Sequence, residues 1–161
     1  MKSRAEFFTP VNVVSSKQNR NLGEQIDRML RSDHQILIFP AGKCARKYHG
    51  KVTELPWKKS VISMSRKYQR DIIPVHTSGY NSGKFMFFSR LSEILRLKVN
   101  IGMLFLVDEL LNKKGTEFVI TFGDPIPWET FDRSKSDLQW AEFVKNKVAE
   151  IAIGNGKEPN M

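Results

Sequence analysis

Apolar positions along the chain alternate between helical spacing and short unbroken runs, and the switches between them mark out its elements. Over residues 21–31, Leu22, Ile26, Met29 and Leu30 share one side, and Asn19 or Asn21 suits the N-cap, so a helix is predicted. The run at 35–39 predicts a short buried strand, followed by a loop to Leu55. Pro56 fits the first position of a helix reaching about Arg70, with Trp57, Val61, Met64 and Tyr68 on its buried side. Residues 71–76 read as a second buried strand, 85–97 and 100–112 as helices, 117–122 as a third strand, and 136–153 as a closing amphipathic helix.

Strand, crossover helix and strand within so few residues predict a right-handed parallel unit. The fold class expected is therefore α/β, a mostly parallel sheet flanked by helices. At 161 residues the chain suits one domain over 1–153, with 154–161 as a flexible tail. No apolar run approaches the roughly 18 residues that cross a bilayer. One cysteine, Cys44, and no apolar leader after Met1 point to a cytoplasmic protein, with peripheral contact on the inner face of the membrane left open.

Charge sharpens the picture through its placement. The net charge is +9, and residues 41–70 hold nine basic side chains against the single acid Glu54. This excess begins where the apolar run stops, at Phe39-Pro40-Ala41-Gly42, and Lys43 and Arg46 follow at once. In open α/β sheets ligands gather beyond the carboxyl ends of strands. There Arg46 offers a planar fork for an anionic group and Lys43 a mobile point charge. An anionic partner is expected: a phosphorylated small molecule, an acidic carrier, an anionic lipid or nucleic acid.

The order Phe39-Pro40-Ala41-Gly42, Arg46, Gly50, Trp57, Ile73-Pro74-Val75, Gly79 and Phe122-Gly123-Asp124-Pro125 resembles the later motifs of the lysophospholipid and glycerol-phosphate acyltransferase family, nearest its hemolysin-like or ornithine-lipid branch. The resemblance covers about residues 8–127 and implies a partial acyltransferase-type domain. It implies that Phe39, Pro40, Ala41, Gly42, Lys43 and Arg46 bind the charged head of a lyso-lipid or glycerol-phosphate acceptor, with the Pro74-Val75 strand beside the acyl chain; His76, at the end of that strand, is a candidate substrate contact, for which a satisfied strand-end histidine is the plainer reading. It also implies acyl-CoA or an acidic acyl carrier protein as donor, and neither a metal nor a bound cofactor. Most members carry Glu where this chain has Ala41.

The family's chemistry uses a His followed five positions later by an Asp, the His serving as general base. Here the residues five positions after His34, His49 and His76 are Phe39, Glu54 and Asn81, so no catalytic residue is assigned and the chain is expected to begin inside the family's domain. His49 with Glu54 is the one carboxylate pair at that spacing, and it follows the turn; a solvated loop pair is the plainer reading. Cys44 lacks an evident base. The stripe Phe85-Met86-Phe87-Phe88 with Lys84 and Arg90 suits ordinary core, an acyl groove or a membrane interface. A missing sheet portion would leave an open edge, which allows a homo-oligomer. The alternative readings are a nucleic-acid module, with Tyr48, Trp57 and Tyr68 among the cations, and a non-catalytic lipid- or carrier-binding protein.

Overall fold

The computed structural model describes residues 20–42, 45–48, 51–79, 81–96 and 101–154. Helix α1 (Arg20–Arg31) forms where predicted, with Arg28 and Arg31 in its last turn complementing the carbonyl end. The apolar run at 35–39 is not a strand: it is irregular, with Leu37 71% and Phe39 76% exposed. A strand needs a hydrogen-bonded neighbour, and among the described residues this run has none.

The segment expected as loop contains an antiparallel pair, β1 (Arg46–Tyr48) and β2 (Lys51–Thr53), with Arg46 opposite Thr53 and Tyr48 opposite Lys51. Helix α2 (Ser60–Tyr68) begins four residues after Pro56. In the stretch ahead of it, the amide of Lys58 donates to the Pro40 carbonyl at 3.1 Å and the Trp57 indole to Glu54 at 2.8 Å. Helix α2 ends with Gln69 in the left-handed region (φ 52°) and with the Ser65 hydroxyl donating to the Arg70 carbonyl at 2.7 Å.

Strand β3 (Val75–Thr77) pairs antiparallel with β4 (Ile120–Phe122), Val75 opposite Phe122 and Thr77 opposite Ile120. The pairing extends outward through Pro74 and Gly123, and through the Ile72–Ile126 bridge. The predicted parallel sheet is thus corrected: every described strand pair is antiparallel, in a mixed α/β arrangement. A parallel unit needed a strand at 35–39 to start from, and residues 72–78 instead find their partner in 119–126.

Between β3 and β4 the chain makes an excursion of α3 (Gly83–Ile94), a 3-10 helix (Ile101–Phe105) and α4 (Leu106–Asn112). Ser82 caps α3 by accepting the Phe85 amide at 3.2 Å. The last helix, α5 (Asp137–Gly154), takes in Gly154; the rest of the expected tail, 155–161, lies outside the described residues.

The main core lies between α2 and α5. Val61 and Ile62 meet Trp140, Ala141 and Val144, and Phe131, placed by a 3-10 helix at Trp128–Thr130, closes one end against the Trp140 ring at 5.7 Å. A valine, isoleucine or phenylalanine side chain there contributes about 1.5–3 kcal/mol when fully buried. An ion pair between Arg66 and Asp137 joins the two helices at the rim. The β3–β4 ribbon leans on α5 at Gly123, where an added Cβ would stand 2.6 Å from Ile151 Cδ1, so glycine permits the approach. No helix among the described residues is long and apolar enough to cross a membrane.

Candidate acceptor-binding site

Phe39, Pro40, Ala41 and Gly42 form a tight turn, the Gly42 amide donating to the Phe39 carbonyl at 3.0 Å. Gly42 has φ 68°, a conformation that glycine adopts without the steric cost a Cβ would bring. Phe39 projects from the turn, while Pro40, Ala41 and Gly42 are half-buried.

Two attachments position this turn. The Lys58 amide holds the Pro40 carbonyl from the far side, just ahead of α2. On the near side, the Arg70 guanidinium gathers the end of α1: Nη1 donates to the Leu30 carbonyl at 3.3 Å and to that of Ser32 at 2.6 Å, and Nη2 donates to that of His34 at 2.6 Å. Carbonyls at a helix end are unsatisfied and carry partial negative charge, so a forked cation suits them. Arg70 therefore anchors the chain immediately before the apolar run that leads into the turn.

A second cluster locks α1 to α2 beside it. Asp27 accepts from Arg31 Nε at 2.7 Å, from the Tyr68 hydroxyl at 2.5 Å and from Lys67 at 3.5 Å. These donors, Arg31 foremost and Tyr68 next, lower the Asp27 carboxyl from its usual 3.8 to about 2 against a smaller opposing effect of burial. Lys67 is also within 2.9 Å of the Tyr68 oxygen, which raises its pKa. Two of the nine basic side chains in 41–70, Lys67 and Arg70, thus have structural partners here.

The remaining site residues distribute as follows. Lys43 lies outside the described residues, as do Cys44, His49 and Gly50. Arg46 opens β1, four residues past the turn, and β1 packs against α3. Pro74 is buried, its carbonyl accepting the Gly123 amide at 2.8 Å, and His76 is half-buried opposite Thr121. Among the described residues no hydrogen bond joins 35–42 to the β3–β4 ribbon, so Pro74 and His76 are not drawn to the turn by such a bond. Glu54, the partner considered for His49, accepts the Trp57 indole. His34 is exposed, with Nδ1 3.2 Å from the Ser32 hydroxyl. No group of three or more His, Cys, Asp or Glu among the described residues is arranged to hold a metal.

Comparison with known proteins adds what geometry alone does not. The family model described as "Acyltransferase" matches residues 3–153, nearly the whole chain. The chain belongs to the acyltransferase family. Within that family it is 39% identical, over 151 residues, to the lyso-glycine lipid O-acyltransferase of Bacteroides thetaiotaomicron, covering 94% of this chain and 55% of the relative. It is also 39% identical over 147 residues to the lyso-glycine lipid O-acyltransferase of Phocaeicola vulgatus, covering 91% of this chain and 52% of that protein. This acyltransferase-family chain therefore spans about half the length of these curated relatives. No solved structure matches it.

Sequence reasoning missed Arg70 as an anchor, the Lys58 amide as a tie and the β1–β2 pair. The last had a partial signal: two residues, His49-Gly50, separate the paired Tyr48 and Lys51, with glycine second as in the Asn-Gly hairpin pattern. Arg70 had none, because a carbonyl-gripping arginine looks in sequence like any other basic residue.

Proposed function

We propose that this chain forms the acceptor-binding part of a lyso-lipid O-acyltransferase. The Phe39–Gly42 turn, with Lys43 and Arg46 after it, holds the acidic head of the acceptor; a carboxylate such as a glycine-type head presents, or a phosphate, matches an arginine fork. The acceptor's hydroxyl attacks the carbonyl of a thioester donor, acyl-CoA or acyl carrier protein, its proton passing to a base while the thiol departs. No His-x4-Asp pair occurs in the 161 residues, so these residues supply acceptor binding and not that base. Pro74 and His76 remain proposed substrate contacts on the ribbon.

The observation that carries this reading is the turn itself: an apolar run ending in a turn fixed at Pro40 by Lys58, opening directly onto the chain's densest cationic segment. The identity to two proteins named as lyso-glycine lipid O-acyltransferases supports it. The nucleic-acid reading loses ground because two of its three stacking aromatics, Trp57 and Tyr68, are engaged. Trp57 donates to Glu54, and the Tyr68 ring lies under Arg31 and Lys67.

Titration calorimetry with a lyso-glycine lipid below its micelle concentration tests the proposal. Arg46→Ala is expected to weaken binding several-fold, and Lys67→Ala, whose ammonium serves Asp27 and Tyr68, to leave it nearly unchanged. Equal losses would reduce the loop to part of a diffuse basic field. The chain alone is expected to show no acyl transfer, and turnover abolished by His49→Ala would overturn that.

A further inference from the structure

Helix α3 has two contrasting sides. At about 100° per residue, Phe85, Ser89 and Ser92 fall on one side, and all three are buried. Opposite them Phe87, Leu91 and Ile94 form a line, with Phe87 62% and Ile94 66% exposed. Lys84 and Arg90 fall about 60° to either side of that line. The apolar surface continues beyond the helix: Phe87 meets Phe88 edge-on at 5.4 Å, and Phe88 stacks on Phe105 at 4.9 Å. Exposed Leu104 and Leu106 flank Phe105 in the chain. On α4, Val107 and Leu111 are exposed, whereas Glu109 turns inward and accepts the Ser82 amide at 2.7 Å.

We propose that this α3–α4 surface rests on an anionic lipid bilayer, its apolar line entering the interface and its cations meeting the lipid phosphates. The charge pattern selects this occupant. An apolar stripe edged on both sides by basic residues is the signature of a helix lying in a membrane interface. Arg96 just past α3, and Lys113 and Lys114 just past α4, add positive charge at the ends of the unit. Another open apolar strip, Ile120 and Phe122 on β4, lacks this pattern, since no basic residue occurs between Thr116 and Asp132. Because β1 packs on α3, the cationic hairpin after the Phe39–Gly42 turn would stand beside the lipid surface. The inference stands beside the acceptor-binding reading and does not depend on it, because bilayer contact and head-group binding are measured separately.

Flotation with vesicles of equal parts phosphatidylglycerol and phosphatidylcholine tests it on the whole chain. The protein should float with these vesicles and not with phosphatidylcholine alone. A Phe87→Asp, Ile94→Asp double variant, unchanged in circular dichroism and thermal midpoint, should lose roughly tenfold or more in binding. Lys84→Glu should lose about fivefold. Leu138→Asp, altering a residue 59% exposed on α5, should bind as the parent does. Absence of flotation would overturn the proposal, as would binding indifferent to the double variant or equally reduced by Leu138→Asp. So would a parent dimer that the double variant dissociates, since the face would then belong to a second copy.

Discussion

Arg70 Nη2 lies 2.6 Å from the carbonyl oxygen of His34, across a sequence separation of 36 residues. Through this contact and its companions at Leu30 and Ser32, the end of α2 sets where the apolar run toward Phe39 begins.

Replacing Arg70 by Ala should therefore act on both stability and site. Three charge-assisted bonds to helix-end carbonyls are lost, and a destabilisation of about 2 kcal/mol is expected in denaturant unfolding. Arg70→Lys should recover less than half of it, because an ammonium cannot reproduce the fork. Full rescue by lysine would show that charge alone matters there.

At the turn, Gly42→Ala should cost about 1 kcal/mol, the price of a Cβ at φ 68°. Its effect on acceptor affinity should exceed its effect on the thermal midpoint. Gly42→Asn, which tolerates the left-handed region, should be milder on both measures. An alanine variant that binds acceptor as the parent does would detach the turn from the site.

The Asp27 cluster predicts a response to acid. Its carboxyl titrates at about 2 in the fold against 3.8 without its partners, so the folded state holds its proton less tightly. The stabilisation is then complete above 3.8 and is lost as pH falls from there toward 2. Thermal midpoints measured from pH 5 downward should fall less steeply for Asp27→Asn than for the parent over that window. Parallel curves would assign acid sensitivity elsewhere.

Two serines on α3 should behave oppositely. Ser89 is fully buried, and its hydroxyl has no hydrogen-bond partner among the described residues, so Ser89→Ala is expected to be neutral or stabilising by up to about 1 kcal/mol. Ser92 donates to the Phe88 carbonyl at 2.8 Å and accepts the Ile101 amide at 2.9 Å, joining α3 to the 3-10 helix. Its replacement by Ala should cost about 1 kcal/mol or more in the same unfolding experiment.

Helical periodicity was the most legible part of this chain. The apolar spacing in 21–31 and 136–153 located α1 and α5 to within one residue at each end, because burial of one stripe determines both pattern and structure. Strand pairing was not legible. The run Ile36-Leu37-Ile38-Phe39 has the composition of a buried strand, yet whether it becomes one depends on a neighbour that local sequence does not specify. For the same reason 71–76 and 117–122 were recognisable as extended segments, within or beside which the shorter strands Val75–Thr77 and Ile120–Phe122 form, while their antiparallel partnership was not. At the site, the turn could be read from Pro40 and Gly42, but its supports could not: the Lys58 contact is made by a backbone amide, which every residue except proline has.

The foot of the α3–α4 excursion is closed twice, the Ser78 amide donating to the Val119 carbonyl and the Val119 amide to the Ser78 hydroxyl, each at 2.8 Å. These two residues are 41 positions apart. Bringing the ends of so long a loop together costs about 3 kcal/mol of chain entropy, beyond what two short bonds return. Folding should therefore run from the head to the stem, the excursion compacting on its own aromatic contacts before the ribbon closes beneath it. Ser78→Ala should accordingly quicken unfolding while leaving the folding rate almost untouched, and a slowed folding rate would place the stem in the nucleus.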